Sequence, residues 1–259
     1  MAALHSSADS GRLPVGAQIA VYGVNQIAMP PDAAWRVSAT TAMELRVEST
    51  GEDASPRWSI DLTSRDQKVR PTDRVRGLIV APDGQHVIAA VADRVLALAS
   101  ATGSVTWEHV PPRSFGFLVV SPTSIVGDAA RVFAAFDNGT IIEWSYEGRL
   151  NRLWHVPECP RLLGIGLDFL YGCDGHYLNA WRVDAAEPGK PPRVSRTRMP
   201  DRTFAISTAP NAHRVATRSL HTVDVWEASA DGSALTPVSR FNIGTGLPLL
   251  ALHPSGQVV

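Results

Sequence analysis

Apolar residues along this chain fall in short runs broken by glycine, proline and aspartate, and the spacing of an amphipathic helix is nearly absent. Such runs predict strands. One kind of break recurs beside an apolar run: Pro31-Asp32, Pro82-Asp83-Gly84, Ser121-Pro122, Pro210-Asn211 and Pro254-Ser255-Gly256. From Pro31 to Pro82 is 51 residues, from Pro82 to Pro122 is 40, from Pro122 to Pro210 is 88, and from Pro210 to Pro254 is 44. The long interval is twice 44, and Asp168 near its middle predicts the same turn without the proline. A repeat in the low-to-mid forties is the length of about four short strands and their turns.

The order inside each interval is constant. A first apolar strand leads into the turn (Gly77 to Ala81, Phe117 to Ser121, Leu162 to Leu167, Phe204 to Thr208, Leu249 to Leu252). A second leaves it (Trp35 to Ala39, His86 to Val91, Arg131 to Phe136, Arg214 to Thr217). A tight hairpin then passes into a third (Glu44 to Glu48, Val95 to Ala99, Thr140 to Ser145, Tyr177 to Val183, Thr222 to Glu227). Asp137-Asn138-Gly139 and Asp174-Gly175 supply residues that tolerate the positive φ of primed turns. A fourth, more polar strand closes each unit, as in Val105 to Val110 and Arg152 to Val156. Polarity there suits an outer edge, because charge on an edge discourages pairing with another molecule. The pattern predicts an all-β fold, a β-propeller of four-stranded antiparallel blades with about five complete repeats plus a truncated sixth. The repeats span about 24–62, 76–110, 116–156, 161–198, 203–243 and, in part, 247–259, within a domain over 15–259 that follows a flexible tail over 1–14. The sixth unit stops where its second strand is due. The sequence is therefore expected to be a piece of a longer protein, or its ring to be completed by another chain, with Val15 to Val21 as a candidate closing strand.

The segment from Val95 to Trp107 resembles the quinoprotein-type propeller repeat, in which an alanine precedes Thr-Gly and a tryptophan follows four residues after the glycine. Ala97, Thr102, Gly103 and Trp107 fill those places; Thr50-Gly51 with Trp58, and Gly148 with Trp154, are looser copies. The strand followed by Pro-Asp-Gly, with Trp144, Trp181 and Trp226 late in the third strand, resembles the WD repeat. Together the resemblance covers about residues 24 to 259. No repeat opens on the Gly-His pair that often begins a WD repeat, and Trp-Asp is replaced by Trp144-Ser145, Trp181-Arg182 and Trp226-Glu227. The family's buried Asp–His network is therefore carried over to no residue here. The resemblance implies that the linkers between blades share a face with the second-to-third-strand hairpins, and that this face commonly binds partners.

Composition adds bounds. A hydrophobic fraction of 44% with 19% charged residues is that of a folded domain. A net charge of −1 gives no global attraction to nucleic acid or anionic membrane. No signal-peptide core and no 18-residue apolar run is visible, so a cytoplasmic protein without a membrane span is expected. Cys159 and Cys173 read as two thiols rather than a disulfide framework or zinc site, and whether they pair stays open.

Candidate chemistry is sparse. His109 and His155 stand at matching places in Trp107-Glu108-His109-Val110 and Trp154-His155-Val156, and matched places in neighbouring repeats suggest strand-end structural roles. His176 and His221 lie in successive hairpins, but nothing sets Asp174 or Asp224 beside them as metal ligands. There is no Gly-x-Ser-x-Gly elbow and no phosphate loop, and Gly164-Ile165-Gly166 sits in a strand with no helix after it, where glycine allows close packing. The seven tryptophans recur at strand positions that suit packing between blades, each contributing on the order of 2–3 kcal/mol. No catalytic residue, cofactor or metal site is expected.

The linkers are more informative. Each complete linker into a following blade carries proline and then arginine: Pro71 to Arg74, Pro111 to Arg113, Pro160-Arg161 and Pro200 to Arg202. With Arg218, these form a candidate arc of positive charge suited to an acidic or phosphorylated protein partner, because guanidinium makes forked, charge-assisted bonds. The competing structural explanation is pairing with adjacent carboxylates such as Asp73 and Asp201. The expected function is a non-enzymatic interaction scaffold. The alternatives are a quinoprotein- or lactonase-like enzyme with a central metal or cofactor, and a nucleic-acid-binding propeller, which the near-neutral charge disfavours.

Overall fold

A computed structural model describes residues 24–30, 32, 34–40, 43–50, 56–62, 75–112, 120–157, 159–183, 194–243, 250 and 252. The expected tail, Val15 to Val21, Gly51, Arg74, Arg113 and the Pro254 turn lie outside them. Among the described residues, twenty strands form five sheets of four. The first sheet holds β1 (Val24–Ala28), β2 (Trp35–Thr40), β3 (Glu44–Ser49) and β4 (Pro56–Asp61). The second holds β5 (Val75–Val80), β6 (His86–Val91), β7 (Arg94–Ala99) and β8 (Val105–His109). The third holds β9 (Pro122–Gly127), β10 (Arg131–Phe136), β11 (Thr140–Ser145) and β12 (Leu150–His155). The fourth holds β13 (Leu162–Ile165), β14 (Phe169–Cys173), β15 (Tyr177–Arg182) and β16 (Val194–Arg198), and the fifth β17 (Ala205–Thr208), β18 (Arg214–Arg218), β19 (Thr222–Ala228) and β20 (Leu235–Asn242). Each sheet is antiparallel and pairs its strands in chain order.

First strands of successive sheets lie side by side, β1 with β5, β5 with β9, β9 with β13 and β13 with β17, so the sheets follow one another as blades about a common inner edge. This is a propeller-like arrangement. The core is accordingly a series of layers between blades. Val87, Ala89 and Val91 of β6 pack on Val37 and Leu45 of the first blade, while Ile88 and Ala90 of the same strand pack on Val132 and Ala134 of the third. Both faces of a middle strand are buried, which is why Val87 to Val91 reads as a continuous apolar run without alternation. Outer strands are mostly exposed and polar, as at the edge strand β20, Leu235–Asn242.

The turns follow side-chain chemistry. Asp83 Oδ1 accepts the Gln85 N–H at 2.9 Å and Gly84 takes φ +70°, closing the Pro82 turn. Gly139 takes φ +83° in the β10–β11 hairpin, where a side chain would run into the Val156 carbonyl.

The third blade corrects the predicted register. Pro122 does not end its first strand but begins it, and the turn falls at Asp128, whose Oδ1 accepts the Ala130 and Arg131 N–H groups at 2.9 and 2.8 Å. Proline is tolerated as the first residue of an edge strand, where its missing N–H breaks no ladder bond. Asp128 lies 46 residues after Pro82 and 40 before Asp168, so the repeat length stays in the forties while the turn itself moves by six residues.

A second correction concerns the outer strands. Trp58 on β4 donates from Nε1 to the Ser100 carbonyl at 2.7 Å, and Trp107 on β8 donates to the Tyr146 carbonyl at 2.7 Å. Each acceptor is the first residue past the third strand of the next blade, and each indole lies over a glycine of that blade. An added Cβ on Gly103 would come within 2.9 Å of Trp58, and one on Gly148 within 2.5 Å of Trp107. The corresponding residue of the third blade is Arg152, not Trp154. Trp58 faces Val47, Trp107 faces Ala97 and Arg152 faces Glu143, and a bulge follows each pair. An Arg152 guanidinium nitrogen donates to the Val183 carbonyl at 2.6 Å, again the first residue past a third strand. Glu143, at 3% exposure, accepts from Arg152 Nε at 2.8 Å. The same register makes His109 the counterpart of Trp154, so His109 and His155 do not occupy equivalent places.

Hydroxyl side chains tie the inner strands together. Ser124 Oγ accepts the Leu163 N–H at 3.1 Å, joining the third blade to the fourth, and Ser207 Oγ accepts the Leu252 N–H at 3.0 Å in the same manner. Leu250 and Leu252 pack with Ala216, Val223 and Val225, where the first strand of a further blade would lie.

Candidate functional site

Two linkers and one hairpin converge at the loop face of the fourth and fifth blades. The Arg161 N–H donates to the Cys173 carbonyl at 2.8 Å, the Met199 N–H to His176 at 2.8 Å, and the Thr203 N–H to Gly175 at 2.9 Å. Gly175, at φ +103°, turns the β14–β15 hairpin tightly and leaves room for the Arg202 side chain, whose Cγ would lie 3.7 Å from an added Cβ. These backbone bonds hold the linkers against the hairpin. Between them is an open cleft of about 180 Å³, lined by Arg161 and Leu162, by Asp174 and Gly175, and by Arg202, Thr203 and Phe204.

Of the five arginines expected in the arc, the structure brings Arg161 and Arg202 into this one cleft. Both are exposed, and among the described residues neither is paired with a carboxylate. Asp201, adjacent to Arg202 in sequence, lies instead 3.7 Å from Arg240, which also forms a two-bond fork to Asp224 at 2.6 and 3.1 Å. Asp174 Oδ1 accepts the His176 and Tyr177 N–H groups, both at 2.8 Å, which closes the hairpin. Arg218 is half-buried at the end of β18 and does not line the cleft; its carbonyl accepts the Phe204 N–H at 2.8 Å. Arg74 and Arg113 fall outside the described residues.

Phe204 was not expected here. The apolar pattern places it in the first strand of the fifth blade, but that strand starts at Ala205 and leaves the Phe204 ring 54% exposed in the linker. The Arg202 guanidinium carbon sits 5.7 Å from the ring centroid. Leu220, in the β18–β19 hairpin on the same face, is 56% exposed. Nothing in the alternation of the sequence distinguishes these two residues from strand residues that are buried.

The histidines divide. His176 and His221 are exposed in successive hairpins, and among the described residues no three ligating side chains form a metal-sized group. His109 packs edge-on against Trp144 and Phe136, with centroids 5.1 and 6.2 Å away, and burial lowers its pKa. The unfolded chain therefore takes up this proton first as pH falls. The stability due to neutral His109 is complete above about pH 6.5 and is lost as pH drops through that value toward the folded one. His109→Phe, which keeps a ring against Trp144, is expected to flatten the fall in urea midpoint between about pH 7 and 5. An unchanged slope would assign the decline elsewhere. Both cysteines are free, and burial pushes the Cys173 thiol up to about 11.

Blades that share an inner edge, with linkers and hairpins gathered on one face, define a propeller-like all-β protein. No family model matches the chain, and neither does any curated protein. Solved structures do. A functionally unknown protein from Desulfotomaculum acetoxidans superposes with a TM-score of 0.69 at 12% identity, covering 90% of this chain and 77% of that one. Raptor from Chaetomium thermophilum superposes with a TM-score of 0.64 at 14% identity, covering 89% of this chain and 22% of Raptor. At these identities the likeness shows the fold alone. Among the described residues no helix is long and apolar enough to cross a membrane.

Proposed function

We propose that this chain is a propeller of the WD and quinoprotein type that acts as a non-enzymatic scaffold, presenting the loop face of its fourth and fifth blades to a protein partner. The observation that carries this reading is the cleft. Two exposed guanidinium groups, without carboxylate partners among the described residues, stand beside an exposed aromatic ring, on linkers bonded to the sheets behind them. Arginine and aromatic residues are the types that dominate binding energy at protein interfaces. Holding them on bonded linkers reduces the ordering entropy lost on docking.

The test is capture of partners from a lysate of the source organism by the wild-type chain and by an Arg161→Ala, Arg202→Ala, Phe204→Ala triple variant. Each specifically captured protein is expected to fall at least tenfold with the variant, about 1.4 kcal/mol or more, while Tm stays unchanged. Undiminished capture by a folded variant would remove this face from the function.

A further inference from the structure

We propose that the cleft between Arg161 and Arg202 recognises a phosphorylated side chain on the partner. This rests on the scaffold reading above and adds the chemistry of what is recognised.

Of the two nearby carboxylates, one is drawn away from the cleft and the other is partly engaged in its own turn. Asp201 lies toward Arg240, and one oxygen of Asp174 closes its hairpin. The other polar groups of the cleft are also engaged: the Gly175 N–H donates to Cys173 Sγ at 3.1 Å and the Thr203 hydroxyl to Met199 Sδ at 3.1 Å. Recognition therefore falls to the two guanidinium groups. A carboxylate has two oxygens and one charge, which a single arginine fork satisfies. A phosphate monoester has three terminal oxygens and a charge of about −1.5 to −2, which matches two forks approaching from two linkers.

Size points the same way. A volume of about 180 Å³ is below the roughly 300–1,000 Å³ of pockets that enclose small-molecule ligands, and suits a phosphate group with the first atoms of its side chain. Phe204 offers an apolar surface to a neighbouring residue of the same segment. Asp174, at the hairpin end of the cleft, disfavours an acidic residue on that side.

Phenyl phosphate, benzoate and inorganic phosphate would each be titrated into the full chain, following the arginine side-chain N–H signals by NMR at constant ionic strength. The expected result is saturable shifts of Arg161 and Arg202 with both phosphates, at least tenfold tighter for phenyl phosphate than for benzoate. Either Arg161→Ala or Arg202→Ala should weaken binding at least tenfold, and the exposed Arg149, in the β11–β12 connection of the third blade, should not respond. Equal affinity for benzoate, or equal response at Arg149, overturns the proposal. An array of peptides centred on serine, glutamate or phosphoserine separates the two levels of the argument. Phosphoserine-selective binding supports the proposal. Binding of unphosphorylated peptides that Phe204→Ala abolishes overturns the phosphate specificity and leaves the scaffold standing. No peptide binding, together with undiminished partner capture by the triple variant, overturns both. Displacement of phenyl phosphate by an RNA oligonucleotide but by no phosphopeptide overturns the peptide assignment.

Discussion

Trp107→Ala is expected to destabilise the fold by about 3–5 kcal/mol, the cost of deleting a large aromatic from a packed site. The indole lies stacked at 5.9 Å on Trp144 of the next blade, covers Gly148, and donates to the Tyr146 carbonyl. Its removal thins the layer between the second and third blades and leaves that carbonyl without its donor. Trp107→Phe separates the two contributions. It keeps most of the buried ring and loses the hydrogen bond, so it should cost about 1 kcal/mol. Urea midpoints read at constant slope give both numbers. A loss below about 1 kcal/mol for the alanine variant would mean that the blades are not joined through this residue.

The second large effect lies one blade further on. Glu143→Leu alone is expected to cost about 3 kcal/mol or more, because it leaves the Arg152 guanidinium, 21% exposed, at a blade interface without its carboxylate. Arg152→Leu alone strands a carboxylate that is only 3% exposed, with a cost of similar size. The double variant Glu143→Leu, Arg152→Leu removes both charges and should cost less than either single change, apart from about 1–3 kcal/mol for the Val183 carbonyl left unbonded. The double-mutant cycle is the direct measurement, and strictly additive losses would show that the pair is not coupled.

These expectations show how far the chain could be read before folding was considered. The second and third strands of the middle blades were legible almost to the residue, with His86–Val91, Arg131–Phe136 and Thr140–Ser145 coinciding with the predicted bounds. They are flanked by aspartate, asparagine and glycine turns whose backbone preferences are local. Ser121-Pro122 misled, because proline suits both a turn and the start of an edge strand, and only pairing of β9 with β10 separates the two. Trp154 matches Trp107 in residue type and so reads as its copy. The bulge after Glu143 sets the register instead and puts Arg152 in that place.

The candidate site was legible in part. The proline–arginine linkers marked Arg161 and Arg202, but the neighbouring Asp201 looked like a partner for Arg202. Consecutive residues of an extended chain point to opposite sides, and Asp201 reaches the β20 side chain of Arg240. Phe204 carries no mark of its exposure, because an exposed apolar residue in a linker and a buried one in a strand look alike in one dimension.

The sequence by itself determined the local alphabet of this protein: short strands, the turns that end them, a repeat near forty-odd residues, and arginine after proline in the linkers. Those features depend on backbone sterics and side chains within a few residues of one another. The tertiary structure alone decided which indole or guanidinium meets which carbonyl on the next blade. It also decided which arginines share a cleft and which carboxylates are diverted from them. Such choices span roughly forty residues of chain and are set by the stacking of whole sheets, which no local preference encodes.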